Sequence, residues 1–151
     1  MVHEHPVRLK ISLKQDMTFK WIIPSTTQEL IIDETIDESI RKVGPDAASL
    51  LGLAVSSCLS ASLLFCLSKK NLSIDDLTGE IEVAFKKNEK GYTRIEKIKV
   101  KLSPKTADPE VLKRLSQCTK ILKNGKMLFE ESCIITPSVI EGIDVEVQVD
   151  L

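Results

Sequence analysis

Residues 47–68 read AASLLGLAVSSCLSASLLFCLS, with Asp46 immediately before them and Lys69 and Lys70 immediately after. No charged side chain interrupts the run. A stretch this long and apolar forms a helix that avoids water around its whole circumference. It is therefore either the central helix of a packed core or a bilayer span. Six of its residues are Ser and one is Gly, and no Trp or Tyr marks either end as a membrane interface. The neighbouring segments are amphipathic strands that need an apolar cover. A core helix is the expectation, and a membrane-anchored protein is the alternative.

Upstream, Val7, Leu9, Ile11 and Leu13 alternate with Arg8, Lys10, Ser12 and Lys14, the pattern of a strand with one wet face. Met17 to Ile23 and Gln28 to Asp33 read as two further strands, parted by the turn residues Pro24 and Ser25. Asp33 to Lys42 is acidic, then polar, and runs into Gly44-Pro45, as a loop or a short helix would. Downstream, Ile81, Val83 and Phe85 alternate with charged residues, Asn88 to Gly91 turns the chain, and Ile95, Ile98, Val100 and Leu102 return. That is a hairpin with one buried face.

Asp108-Pro109-Glu110 opens a helix: Asp caps it, Pro suits its first turn, and Glu favours the dipole. Val111, Leu112, Leu115 and Cys118 form its apolar face. Asn124-Gly125 interrupts, Lys126 to Cys133 resumes a helical pattern, and Pro137 is expected to stop it. Alternation over Ile143–Val149 predicts a final strand. The order is three strands, a helix, two strands, helices and a strand, which is an α+β arrangement in a single domain over residues 1–151.

Composition narrows the function. Lys plus Arg is 21 against 22 for Asp plus Glu, a net charge of −1, so no overall field draws the chain to nucleic acid or anionic lipid. Aromatics at 4% leave no stacking platform for bases. The cysteines are Cys58, Cys66, Cys118 and Cys133, with no C-x-x-C spacing to suggest a metal or thioredoxin-like centre. Met1 to Lys20 lacks the apolar stretch of a signal peptide, which makes a reducing cytoplasm the expected compartment. His3 and His5 are the only histidines, placed before the first strand, so hydrolase triads are discounted and a frayed end is expected there. Chelation of Cu(II) or Ni(II) by the N-terminal amine with His3 is the alternative. Trp21 and Tyr92 are expected to pack on the sheet.

Gly44 with Leu50-Leu51-Gly52-Leu53-Ala54-Val55-Ser56-Ser57-Cys58 resembles the central-helix motif of the OsmC/Ohr family, the osmotically inducible and organic-hydroperoxide-resistance proteins. Glu131-Ser132-Cys133-Ile134-Ile135-Thr136, followed by Ser138 to Val145, is similar to the family's second-cysteine motif, in the branch with a CxVTxSVxxGI pattern. The resemblance runs from Gly44 to the end, and the two cysteines stand 75 positions apart in matching elements.

The resemblance implies an OsmC-like fold, antiparallel sheets wrapped around the long helix, in an intertwined homodimer. It implies a peroxidase site without metal or organic cofactor. Cys58 would attack an organic hydroperoxide or hydrogen peroxide and become a sulfenic acid. Cys133 would resolve it as an intramolecular disulfide, which a dithiol reductant reopens. The chemistry has its own logic: the thiolate is the nucleophile, and its sulfenic acid must be trapped before over-oxidation.

The family's Pro-Glu ahead of the helix is Ala47-Ala48 here, so the glutamate that orients an arginine on the sulfur is missing and activity is expected to be weakened or altered. Arg41 is the nearest candidate for that cation, with Lys42 beside it; the alternative is a solvated loop charge. A non-enzymatic dimer that binds a small apolar or acyl ligand is the alternative function. Cys66 and Cys118 are expected to be packing residues that stay free when Cys58 and Cys133 join. Eight residues, roughly 12 Å of helix, separate Cys66 from Cys58 and forbid a bridge between those two.

Overall fold

The computed structural model describes residues 9–15, 17–22, 29–37, 39 and 41–150. They fall into two compact units, residues 1–51 and residues 52–151.

In the first unit, β1 (Lys10–Gln15), β2 (Thr18–Ile22) and β3 (Glu29–Asp33) form an antiparallel sheet in that order. All three expected strands are present. The Pro24-Ser25 turn, Val7, Arg8 and both histidines lie outside the described residues. Leu9, Ile11 and Leu13 do alternate, but all three are exposed, so the apolar face of β1 is not the buried face expected. Trp21 pairs across the sheet with Ile11 on one side and Leu30 on the other.

Between β3 and Ala47 the described residues form no helix or strand, and one buried carboxylate holds them. Asp33 accepts the N–H of Thr35 and that of Val43, both at 2.9 Å, while its own N–H donates to the Pro45 carbonyl at 3.1 Å. These bonds press Gly44 onto β3: a Cβ there would stand 2.1 Å from the Ile31 carbonyl oxygen. Because the obstacle is backbone, it has little room to retreat. Gly44→Ala is expected to destabilise the protein by roughly 1–3 kcal/mol, the usual range for overpacking, read as a lowered urea midpoint at unchanged slope.

The long helix α1 spans Ala47–Ser68, as expected from the uncharged run. Its start is doubly capped: Asp46 accepts the Ser49 N–H at 2.7 Å, and Glu34 accepts the Ala47 N–H at 2.7 Å. In the second unit its covered face carries Val55, Leu59, Leu63, Cys66 and Leu67. Leu53, Ser57, Ala61, Leu64 and Phe65 are exposed on the rest of the circumference. The core role holds for one face only.

Strands β4 (Asp76–Lys87) and β5 (Thr93–Lys105) form the expected antiparallel hairpin, with Ile81 opposite Val100 and Val83 opposite Ile98. Gly52 of α1 lies on this face, where a Cβ would come within 2.8 Å of Val83 Cγ2. The other face carries cross-strand ion pairs, Glu82 with Lys99 at 2.7 Å and Glu80 with Lys101 at 3.4 Å. Burial of the hairpin is partial and fades toward its tip. Leu77, Ile98, Val100 and Leu102 pack on the core, whereas Phe85 and Ile95 near the tip are exposed. Tyr92 is 60% exposed beside the turn, with the Arg94 guanidinium over its ring, rather than packed on the sheet.

Helix α2 (Pro109–Cys118) starts as expected, with Asp108 accepting the Glu110 N–H at 2.8 Å, and buries Val111, Leu115 and Cys118. Its last buried residue meets α1: Cys66 and Cys118 are joined in a disulfide, Cα atoms 6.1 Å apart. The expectation that both stay free is corrected. Cys66 lies on the covered face of α1 and Cys118 on the apolar face of α2, and packing those two faces on one another brings the sulfurs together.

Beyond Gly125 the expected helical segment is a short 3-10 helix, Leu128–Ser132. Pro137 does not end it. The proline lies in the first turn of α3 (Ile135–Glu141), where its missing N–H interrupts no helical bond. Nor is Ile143–Val149 a strand among the described residues: it is irregular, and Val145, Val147 and Val149 are each at least 74% exposed. Alternation fits a segment for a sheet, but its N–H and C=O groups also need an edge to pair with.

Candidate active site

Cys58 sits in the middle of α1 between the buried Val55 and Leu59, itself half-buried. Cys133 comes from a different element and is buried. It closes the 3-10 helix, its N–H donating to the Glu130 carbonyl at 2.9 Å, before the chain turns into α3. The first N–H groups of a helix have no intrahelical acceptor, and here they find one in sulfur. Burial pushes the Cys58 thiol up. The Ile135 N–H and the Ile134 N–H aimed at the sulfur, with the Cys133 side chain beside it, outweigh that and bring it below the ordinary thiol value.

Cys133 is itself held. Its thiol donates to Thr136 Oγ1 at 3.2 Å, and the Thr136 N–H donates back to the sulfur at 3.4 Å. Thr136 also lines a cavity of about 340 Å³, otherwise walled largely by apolar side chains such as Val55, Leu59, Leu63, Val100 and Leu102. A thiol drawn below its ordinary value, a second thiol beside it and a neighbouring apolar cavity are an arrangement suited to sulfur redox chemistry.

The two cysteines expected to act together are thus neighbours. Arg41 belongs to the unit of residues 1–51, where it is exposed in the loop between β3 and α1. Lys42 reaches Asp46 at 3.7 Å. The Asp46 carboxylate is engaged as the α1 cap, and bonds from the Ser49 N–H and hydroxyl hold it below the usual carboxylate range. Thr136 and the N–H groups of Ile134 and Ile135 join the site only in the folded chain. Thr136 stood in the quoted motif, but a backbone donor has no sequence signal beyond the start of a helix. Among the described residues no group of three or more His, Cys, Asp or Glu side chains is placed to hold a metal ion.

A family model described as OsmC-like protein matches residues 37–148. No curated protein matches the chain. Among solved structures the chain is similar to an OsmC-like protein of unknown function from Vibrio cholerae, at 15% identity and TM-score 0.64, over 89% of this chain and 93% of that one. It is similar to an OsmC-like protein from Mycoplasma pneumoniae at 12% identity and TM-score 0.65, over 91% and 89%. The organic hydroperoxide resistance protein OhrB of Bacillus subtilis follows at 16% identity and TM-score 0.61, over 94% and 96%. At these identities the likeness is one of fold.

Proposed function

The chain belongs to the OsmC-like protein family, and from that premise we propose that it is a cysteine-based peroxidase for organic hydroperoxides and hydrogen peroxide, acting in the cytoplasm as a homodimer of single-domain chains. The observation that carries this is the Cys58 thiol, drawn below its ordinary value by the N–H groups of Ile134 and Ile135 with Cys133 beside it.

The Cys58 thiolate attacks the terminal oxygen of ROOH. The O–O bond breaks, RO⁻ takes a proton and leaves as ROH, and Cys58 becomes a sulfenic acid. The Cys133 thiol then loses its proton as its sulfur attacks the sulfenic sulfur, expelling hydroxide as water and forming the disulfide. Two exchanges with an external dithiol restore both thiols. Thr136 positions Cys133 for its attack, and the alkyl group of the substrate lies in the apolar cavity. Arg41 is proposed as the cation that steadies the thiolate in place of a family arginine oriented by glutamate.

The test is consumption of cumene hydroperoxide and hydrogen peroxide with dithiothreitol as reductant. Turnover with preference for the organic peroxide supports the proposal. Absence of turnover above a Cys58→Ser control favours the alternative, a non-enzymatic dimer binding an apolar or acyl ligand. The cavity near Thr136 would serve that function equally.

Peroxide attack should follow the thiolate. Its rate is expected to rise with pH and level off, with a midpoint below the free-thiol value of about 8.5, in stopped-flow measurements under single turnover. Arg41→Ala should raise that midpoint and slow attack while leaving the fold intact. Arg41→Lys should recover only part, since a point charge lacks the planar fork. An unchanged profile in the Ala variant removes Arg41 from the site.

The uncovered face of α1 supports the homodimer: Leu53, Ala61, Leu64 and Phe65 are exposed there, with the small polar Ser57 among them, and a second copy would bury them. Leu64→Glu is expected to yield a folded monomer in sedimentation, where the parent protein sediments as a dimer at micromolar concentration.

A further inference from the structure

The Cys66–Cys118 disulfide lies outside the proposed peroxide chemistry, yet its surroundings are not those of an inert staple. Cys118 is 0% exposed and Cys66 is 5% exposed. Cys66 lines a cavity of about 200 Å³ to which Cys118 does not contribute, and whose walls include Lys69, Arg114, Glu131 and Ser132. Arg114 reaches in from α2. Its Nη2 stands 3.6 Å from Cys66 Sγ and 3.0 Å from the Cys66 carbonyl, with Nε 3.3 Å from the same oxygen. Its Nη1 donates to Gln117 at 3.0 Å, so the guanidinium is pinned.

Capping the last turn of α1 accounts for the bonds to the carbonyl. It requires neither a contact with sulfur nor a cavity beside it. Two cations face one carboxylate on these walls, and Glu131 is already bonded by Asn124 at 2.8 Å. Reactive cysteines sit in such electropositive, partly accessible places.

We propose that Cys66–Cys118 is a second redox centre, opened and closed by exchange with a small carboxylate-bearing thiol that enters the cavity beside Arg114 and Lys69. The incoming thiolate attacks Cys66 Sγ, forming a mixed disulfide. The Cys66–Cys118 bond breaks, and Cys118 leaves as a thiolate and takes a proton. A second thiol attacks the sulfur of the small thiol in the mixed disulfide, releasing its oxidised dimer and Cys66 as thiolate beside Arg114. Two electrons pass from two small thiols to the protein. The reverse sequence, with the oxidised small thiol, recloses the bond.

The test uses the full chain with Cys58→Ser and Cys133→Ser, so that only this pair reports and peroxidase activity plays no part. Reduced glutathione is the anionic probe and 2-mercaptoethanol the uncharged one, compared at equal thiolate concentration by alkylation and intact-mass spectrometry. Glutathione should open the native bond roughly tenfold faster, about the effect of one charge-assisted hydrogen bond. Arg114→Gln should remove that advantage, and should Arg114→Gln fail to fold, raised ionic strength should shrink it in the parent background. With oxidised glutathione, Cys118→Ser should gain one adduct at Cys66 and Cys66→Ser none at Cys118. A bond that opens only after denaturation, equal rates for the two thiols, or an adduct at Cys118 overturns the proposal.

Discussion

Cys58→Ser is expected to reduce peroxide consumption to the rate of peroxide with dithiothreitol alone. The substitution is nearly isosteric and the position half-buried, so the fold should persist. What is lost is the ionised nucleophile. The N–H groups of Ile134 and Ile135 that favour a thiolate would face a neutral hydroxyl, which does not ionise in the working range and is a weak nucleophile unless a base activates it. Cys133→Ser separates the two roles. Its first turnover should proceed at the parent rate, because Cys58 still forms the sulfenic acid. With no thiol to trap that species, excess peroxide should carry Cys58 to the sulfinic state, seen by mass as two added oxygens, and turnover should stop. Continued cycling of the Cys133→Ser variant would assign resolution to the external thiol. Undiminished consumption by the Cys58→Ser variant would remove the peroxidase function from this cysteine.

Leu63→Ala is expected to destabilise the protein by about 2–5 kcal/mol, and Leu63→Asp to abolish folding. Leu63 is 2% exposed on the covered face of α1, in one cluster with Leu67, Val111, Leu115 and Phe129. The truncation removes contacts within that cluster and enlarges the apolar cavity that Leu63 already lines. An aspartate there is a buried charge with no partner, and several kcal/mol is a large share of the roughly 5–15 kcal/mol that holds a domain folded. Leu64 is one residue away and exposed, so its substitution should change association and not chain stability. Urea denaturation of the Leu63 and Leu64 variants reads the contrast directly. Equal losses at both positions would mean that α1 is buried on both faces in the folding unit itself.

Local order of residues was enough for several features. An uncharged run bounded by Asp46 and Lys69 determined α1 to the residue, because a helix that long has no other place to end than where charge and a cap appear. Asp108-Pro109-Glu110 determined the start of α2, since its capping bonds lie within one turn. Asn88 to Gly91 determined the hairpin turn for the same reason. The two quoted cysteine motifs singled out Cys58 and Cys133 as a candidate pair without any distance between them. Tertiary structure decided what depends on partners far along the chain. Cys66 and Cys118 are 52 residues apart, and only the docking of α2 on α1 brings their Cα atoms to 6.1 Å. Pro137 could end one helix or begin another, and the turn after Cys133 settled that it begins α3. Ile143–Val149 has the alternation of a strand but pairs with no strand among the described residues, because a periodic pattern records which side chains seek cover and not which backbone the segment will pair with.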